Sequence, residues 1–277
     1  MITVHHGDNL RVLAKFRGES FDLIYIDPPF NTGRTQRRTQ LRTTRSGAGD
    51  RTGFGGKRYA TERVGSREFG DRFVDYLAFL EPRLTEARRV LAGTGSLFVH
   101  LDAREVHYVK VLLDGIFGRA SFLNEIVWAY DYGARTTKRW APKHDTILWY
   151  AKDPSRYTFR AEESDRLPYM APGLVTPEKR ARGKLPTDTW WHTIVSPTGK
   201  EKTGYPTQKP LAILERIVKV HSKPGDRLLD FFAGSGTLGE AADRQGRDVV
   251  LVDSNPEAVR VMRKRFLGRR AEYLRVR

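Results

Sequence analysis

Residues 227–253 limit what this chain can fold into more than any other stretch. RLLDF reads as a buried strand, Phe232-Ala233-Gly234-Ser235-Gly236-Thr237 as a glycine turn, LGEAADRQ as a helix, and the next apolar run as a second strand ending in Asp253. Strand, helix and strand in that order make a parallel crossover of fixed hand, so an α/β sheet is expected. Glycines between strand and helix let the backbone approach a ligand closely and aim helix N–H groups at it. Asp253 stands nineteen positions beyond Gly234. An acid at that distance, on the tip of the neighbouring strand, is where dinucleotide-type folds hold a ribose diol. The third glycine of the phosphate-cradling GxGxxG pattern is missing.

A second constraint follows the apolar run FDLIYI. Asp27-Pro28-Pro29-Phe30 carries two prolines, which fix φ and offer no N–H, so the turn cannot relax into a helix. A carboxylate, the Pro28 carbonyl and the Phe30 ring remain on a rigid edge. Two acceptors beside a ring suit a planar heterocycle with an exocyclic amino group, such as adenine or cytosine. The plainer alternative is a strand-ending turn with an incidental acid.

The two ends of the chain complete each other. ITVHH, NLRVLAKF and FDLIYI read as strand, helix and strand, while the carboxyl end supplies strand, helix, strand and helix through Phe266. Joined end to start, these make one run of β-α units, which places the termini near each other and Asp8 on a strand tip beside Asp253. Asp8 is also a good N-cap for the helix that follows.

Together these residues resemble the amino-methyltransferases of DNA, in the group where the DPPF-type motif precedes the FxGxGT motif. The likeness rests on DPPFNTG, GSLFVHLD, residues 124–153, PTQKP and DFFAGSGT, and covers nearly the whole chain. The resemblance implies a doubly wound, mostly parallel α/β sheet of the S-adenosylmethionine-dependent methyltransferase type, circularly permuted in motif order, as one domain over 1–277. It implies Asp27, Pro28, Pro29 and Phe30 as the catalytic segment, acting on a base rotated out of the duplex. S-adenosylmethionine would lie against Phe232, Ala233, Gly234, Ser235, Gly236 and Thr237, with Asp253 on its ribose, Asp8 and Asn9 at its adenine, and Asp230, Thr207 and Lys209 at its methionine end. An acid before the two prolines goes mainly with adenine N6 in this group, and serine mainly with cytosine N4. The implied partner is double-stranded DNA, with a cognate restriction endonuclease as an optional companion. Either a monomer or a homodimer is compatible.

Composition agrees. Forty-nine Lys and Arg against thirty-three Asp and Glu leave a net charge of +16, which suits a polyanion. No apolar run approaches a membrane span, and no signal or transit segment is visible, so a cytoplasmic, nucleoid-associated enzyme is expected. Cysteine is absent. That excludes disulfides, thiolate metal sites and cytosine C5 methylation by the usual cysteine nucleophile. The histidines lack ligand spacing, and no metal site is expected.

Between DPPF and the next helix, residues 31–72 carry eleven Lys and Arg against four acids, with little apolar periodicity. They read as a long mobile loop that meets DNA phosphates, through Arg34, Arg37, Arg38, Arg42 and Arg45, or as a solvated charge run. Phe73, Leu77, Leu80, Leu84 and Leu91 share one helical face. Arg135, Lys138 and Arg139 form a further basic candidate. Over 154–203 regular patterning fades, and this insert is expected to recognise the target. Trp190 and Trp191 within it either stack on bases or complete a core.

Overall fold

The apolar alternation of both chain ends resolves into one nine-stranded sheet. The computed structural model describes residues 1–31, 34–45, 51–52, 58–71, 73–133, 135–196 and 199–276. The chain divides into two compact units, Met1–Pro28 with Leu77–Arg277, and Pro29–Tyr76.

In the larger unit, β1 (Ile2–His6), α1 (Asn9–Leu13), β2 (Phe21–Ile26), α2 (Tyr76–Val90) and β6 (Leu91–Leu101) come from the first half of the chain. After α3 (Val106–Phe117) come β7 (Phe122–Ala129), β8 (His144–Ala151), the short helix α4 (Pro177–Arg182) and β9 (Thr189–Trp191). The carboxyl end adds α5 (Leu211–His221), β10 (Arg227–Asp230), α6 (Thr237–Arg244), β11 (Asp248–Asp253), α7 (Pro256–Arg265) and β12 (Ala271–Arg275). The strand order is β12-β1-β11-β10-β2-β6-β8-β7-β9. All neighbours are parallel except β8, which runs against both β6 and β7. The expected parallel α/β sheet is thus found, with one reversed strand.

Beside β10 the winding reverses. From β10 the chain crosses outward through α6 to β11, whereas from β1 it returns through α1 to β2 and continues outward to β6. Such a reversal opens a crevice at the carboxyl ends of the central strands. Leu23, Ile24, Leu97, Phe98, Leu228, Leu229 and Leu251 are fully buried between the layers. Each such side chain contributes about 1.5–3 kcal/mol relative to exposure.

The termini lie on adjacent strands, β1 and β12, at opposite ends of them, and Val276 N–H donates to the His6 carbonyl. β12 was not legible, because AEYLR alternates too weakly to read as a strand. Leu80 and Leu84 anchor α2 as expected, but Leu91 opens β6 instead of ending the helix face. Among the described residues no helix is long and apolar enough to cross a membrane.

The smaller unit departs from the expected loop. β3 (Arg34–Arg45) pairs antiparallel with β5 (Arg58–Asp71), and β4 (Arg51–Thr52) adds to the other side of β5. The register sets Arg34, Arg37 and Arg42 opposite Asp71, Glu68 and Glu62. The same register sets Arg38 opposite Arg67, and frequent β-branched threonine favours strands even where apolar alternation is missing. At the root, Asn31 Oδ1 accepts the Phe73 N–H at 3.1 Å.

Candidate active site

The crevice is built from strand ends and the turns that leave them. After β10, residues 231–236 turn sharply into α6, with Gly234 and Gly236 at φ of 51° and 74°. A Cβ on Gly236 would stand 2.8 Å from Met262 Cγ, so only glycine fits there. Arg265 of α7 holds this turn from beneath. Its Nη1 donates to the Ser235 carbonyl at 2.9 Å and to Thr237 Oγ1 at 3.1 Å, while Nε donates to Glu240 Oε2 at 2.6 Å. Its side chain is 3% exposed.

Three acids stand at the carboxyl ends of β2, β10 and β11. Asp253 accepts the Gly234 N–H on Oδ2 and the Asn255 N–H on Oδ1, both at 2.8 Å. Burial nevertheless pushes its carboxyl up to about 6. Asp230 accepts the Phe232 N–H at 2.9 Å. It is pushed well above the ordinary carboxylate range by burial first, and also by the charges of Asp27 and Asp253. Asp27, at the end of β2, accepts Lys209 Nζ on Oδ2 at 2.7 Å. Its Oδ1 is buried and has no hydrogen-bond partner among the described residues. Buried acids around a left-handed glycine turn make a crevice suited to a cationic nucleoside. The residues present therefore fit S-adenosylmethionine, whose sulfonium and ammonium are both positive.

The other expected residues divide. Asp8 caps α1, its Oδ1 accepting the Arg11 N–H at 3.0 Å, while its Oδ2 accepts Arg83 Nη2 at 3.2 Å. Asn9 is buried and tied into the frame: Nδ2 donates to the Phe231 carbonyl at 2.8 Å and Oδ1 accepts Arg83 Nε at 2.6 Å. Phe232 is half-buried, with the Phe79 ring of α2 centred 6.1 Å away. Ala233, Ser235 and Thr237 are buried in the turn. Thr207 is exposed. Lys209 reaches Asp27, a partner that its position in the sequence did not indicate.

Pro29 and Phe30 are the first residues of the smaller unit, and Phe30 is half-buried. Arg34, Arg37, Arg38, Arg42 and Arg45 lie on β3 with side chains outside the described residues. Arg135, Lys138 and Arg139 are exposed on the β7–β8 connection. Trp190 is buried, under the Arg216 guanidinium at 4.9 Å, whereas Trp191 is exposed.

A polar network behind Asp27 escaped sequence reasoning, because its members stand singly in apolar runs. Tyr25 and His100, on adjacent strands, meet at 2.7 Å between the hydroxyl and Nδ1. His100 Nε2 is 3.2 Å from Asp145 Oδ2, and the Tyr130 hydroxyl donates to Asp145 Oδ1 at 3.1 Å. Burial opposes ionisation of Asp145, but His100, Lys209 and Tyr130 outweigh it and hold the carboxyl below its ordinary range. An ionised carboxylate only accepts, so His100 donates to Asp145 from Nε2.

Residues 21–264 match the family model N6_N4_Mtase, described as DNA methylase, which spans most of the chain. The chain belongs to the DNA methylase family. This methylase is 29% identical over 272 residues to the DNA adenine methyltransferase YhdJ of Escherichia coli (strain K12), covering 95% of this chain and 82% of that protein. Its fold matches the crystal structure of the M1.HpyAVI–SAM complex with a TM-score of 0.61 at 20% identity, covering 96% of this chain and 98% of that one. The cytosine-N4-specific PvuII DNA methyltransferase matches with a TM-score of 0.65 at 17% identity, covering 96% and 86%.

Proposed function

We propose that this DNA methylase transfers a methyl group from S-adenosylmethionine to the N6 amino group of an adenine rotated out of duplex DNA. The observation that carries this reading is the division of labour within Asp27, one oxygen held by Lys209 and the other buried and unsatisfied. A buried acceptor left without a donor costs about 1–3 kcal/mol, which a ligand N–H recovers.

Asp253 would hold the ribose of the cofactor, Asp230 its methionine amino group, and residues 232–237 would lie along it. When bound, S-adenosylmethionine supplies a methyl group activated by the adjoining sulfonium charge. The chain supplies everything else. Asp27 Oδ1 and the Pro28 carbonyl accept the two amino hydrogens, which draws density toward them and frees the nitrogen lone pair. Phe30, next along the rigid turn, offers a face on which the base stacks. Lys209 holds the other oxygen of Asp27. Rotating the base out costs a few kcal/mol, and fixed positioning of the nitrogen provides most of the acceleration.

In this reading residues 1–277 form one methyltransferase domain, with 31–72 as a basic arm on the phosphates and 154–203 as the target-recognition insert. Methylation-aware sequencing of DNA from a host expressing the protein would find the recognised sequence. Mass spectrometry of nucleosides from a duplex methylated in vitro then names the base. N6-methyladenine is expected; N4-methylcytosine alone would overturn the base assignment and leave the amino chemistry standing.

A further inference from the structure

The connection between β7 and β8 leaves the sheet at the same edge as Asp27. Ile26 pairs with Val99 and Leu101 with Thr146, so the end of β2, the end of β6 and the start of β8 share one edge. The root of the connection is rigid. Tyr130 N–H donates to the Lys143 carbonyl at 2.9 Å, Lys143 Nζ donates to the Asp131 carbonyl at 2.9 Å, and the Tyr130 hydroxyl binds Asp145. Its crown has the opposite character. Trp140 is 97% exposed, next to Arg139, with Arg135 and Lys138 also exposed.

A bare indole among cations matches what stacked bases and their phosphates offer: a flat apolar face bordered by negative charge. Rotating a base out of the stack costs unstacking energy, and DNA-deforming proteins often insert apolar side chains between base steps. Trp191, 76% exposed on β9 opposite Ala129, places a second ring at this edge. We propose that Trp140 enters the DNA base stack at the position vacated by the target base, with Lys138 and Arg139 on the flanking phosphates. This rests on the amino-methyltransferase reading above and adds the group that keeps the duplex open.

The test uses oligonucleotides carrying the recognised sequence: a matched duplex, the same duplex with an abasic site opposite the target, and a duplex with 2-aminopurine at the target. For Trp140→Ala, methyl transfer to the matched duplex should fall about ten- to a hundredfold, the equivalent of one base–aromatic stack. The rise in 2-aminopurine fluorescence on binding should disappear. Trp140→Phe should retain most of both, and transfer to the abasic duplex should recover to within about threefold of the unaltered protein, since that substrate is already open. Cofactor affinity by calorimetry should not change. Equal losses on matched and abasic duplexes, or no loss on either, would overturn the wedge. Failure of the unaltered protein to methylate any of the DNAs would instead overturn the amino-methyltransferase reading.

Discussion

Lys209 Nζ lies 2.7 Å from Asp27 Oδ2, joining two residues 182 positions apart, with side chains 11% and 16% exposed. Asp27 closes β2, and Lys209 precedes α5. Thr237 Oγ1 at the start of α6 donates to the Lys209 carbonyl at 3.3 Å, so the glycine turn and the acid of the DPPF turn are linked through one residue. Under the proposed function the pair leaves Asp27 Oδ1 for the substrate amino group, and Lys209 acts as a positioning residue.

Replacing Lys209 separates this role from the cofactor role that the resemblance implies. Lys209→Ala should lower kcat by about a hundredfold or more, the scale of removing a preorganised charge beside a reacting group, with cofactor affinity within about threefold. Lys209→Arg should restore part of kcat. An affinity loss of tenfold or more with kcat preserved would return Lys209 to the methionine carboxylate.

Asp253 predicts a pH dependence with two signs. Its folded pKa of about 6 lies above the ordinary 3.8, so in the free protein its protonation adds stability that is complete below about pH 4 and lost as pH rises through 6. Cofactor binding runs the other way, because ribose hydroxyls donate to the ionised carboxylate. Affinity measured by calorimetry between pH 5 and 8 should weaken toward tenfold per unit below about 6. Asp253→Asn should bind weakly with no such break, and a flat profile in the unaltered protein would reject the ribose assignment.

Arg265 should matter for the cofactor although it lies beneath the turn. Arg265→Ala removes the buried partner of Glu240, which keeps Arg244 at 2.6 Å and Arg269 at 3.5 Å, and should cost about 1–3 kcal/mol of stability, read by chemical denaturation. Arg265→Lys keeps a cation near Glu240 but removes the planar fork to Ser235 and Thr237. Its cofactor affinity should drop about tenfold, the scale of one charged hydrogen bond, with a smaller stability loss. Unchanged affinity in Arg265→Lys would make the residue purely structural.

If the arginines of β3 meet phosphates, replacing Arg37, Arg38, Arg42 and Arg45 should flatten the salt dependence of DNA binding. The log-log slope should shrink by about 0.9 for each phosphate that is no longer neutralised. A slope that survives all four replacements would leave the strand a solvated face.

Much of this molecule is legible because its signals are local. Two prolines stiffen the turn after Asp27, Gly236 sits where a Cβ would meet Met262, and apolar runs mark the parallel strands. The pairing of β3 with β5 was not legible, since it is a matter of cross-strand register over a stretch without apolar alternation. Trp190 and Trp191 are neighbours of identical type. Only the pleat of β9, which turns alternate residues to opposite faces, decides that the first is buried and the second exposed.

The family, the α/β sheet, the acids at its strand tips and the affinity for a polyanion can all be read along the chain, because each follows from residue type and short-range spacing. The partners of the polar side chains emerge only on folding: Lys209 on Asp27, Arg83 on Asp8 and Asn9, Arg265 beneath the glycine turn, and His100 between Tyr25 and Asp145. These pairings depend on which strands become neighbours and in what register. A long polar side chain can reach any of several acceptors, and its choice is settled only when folding has removed the others from range and water from the site.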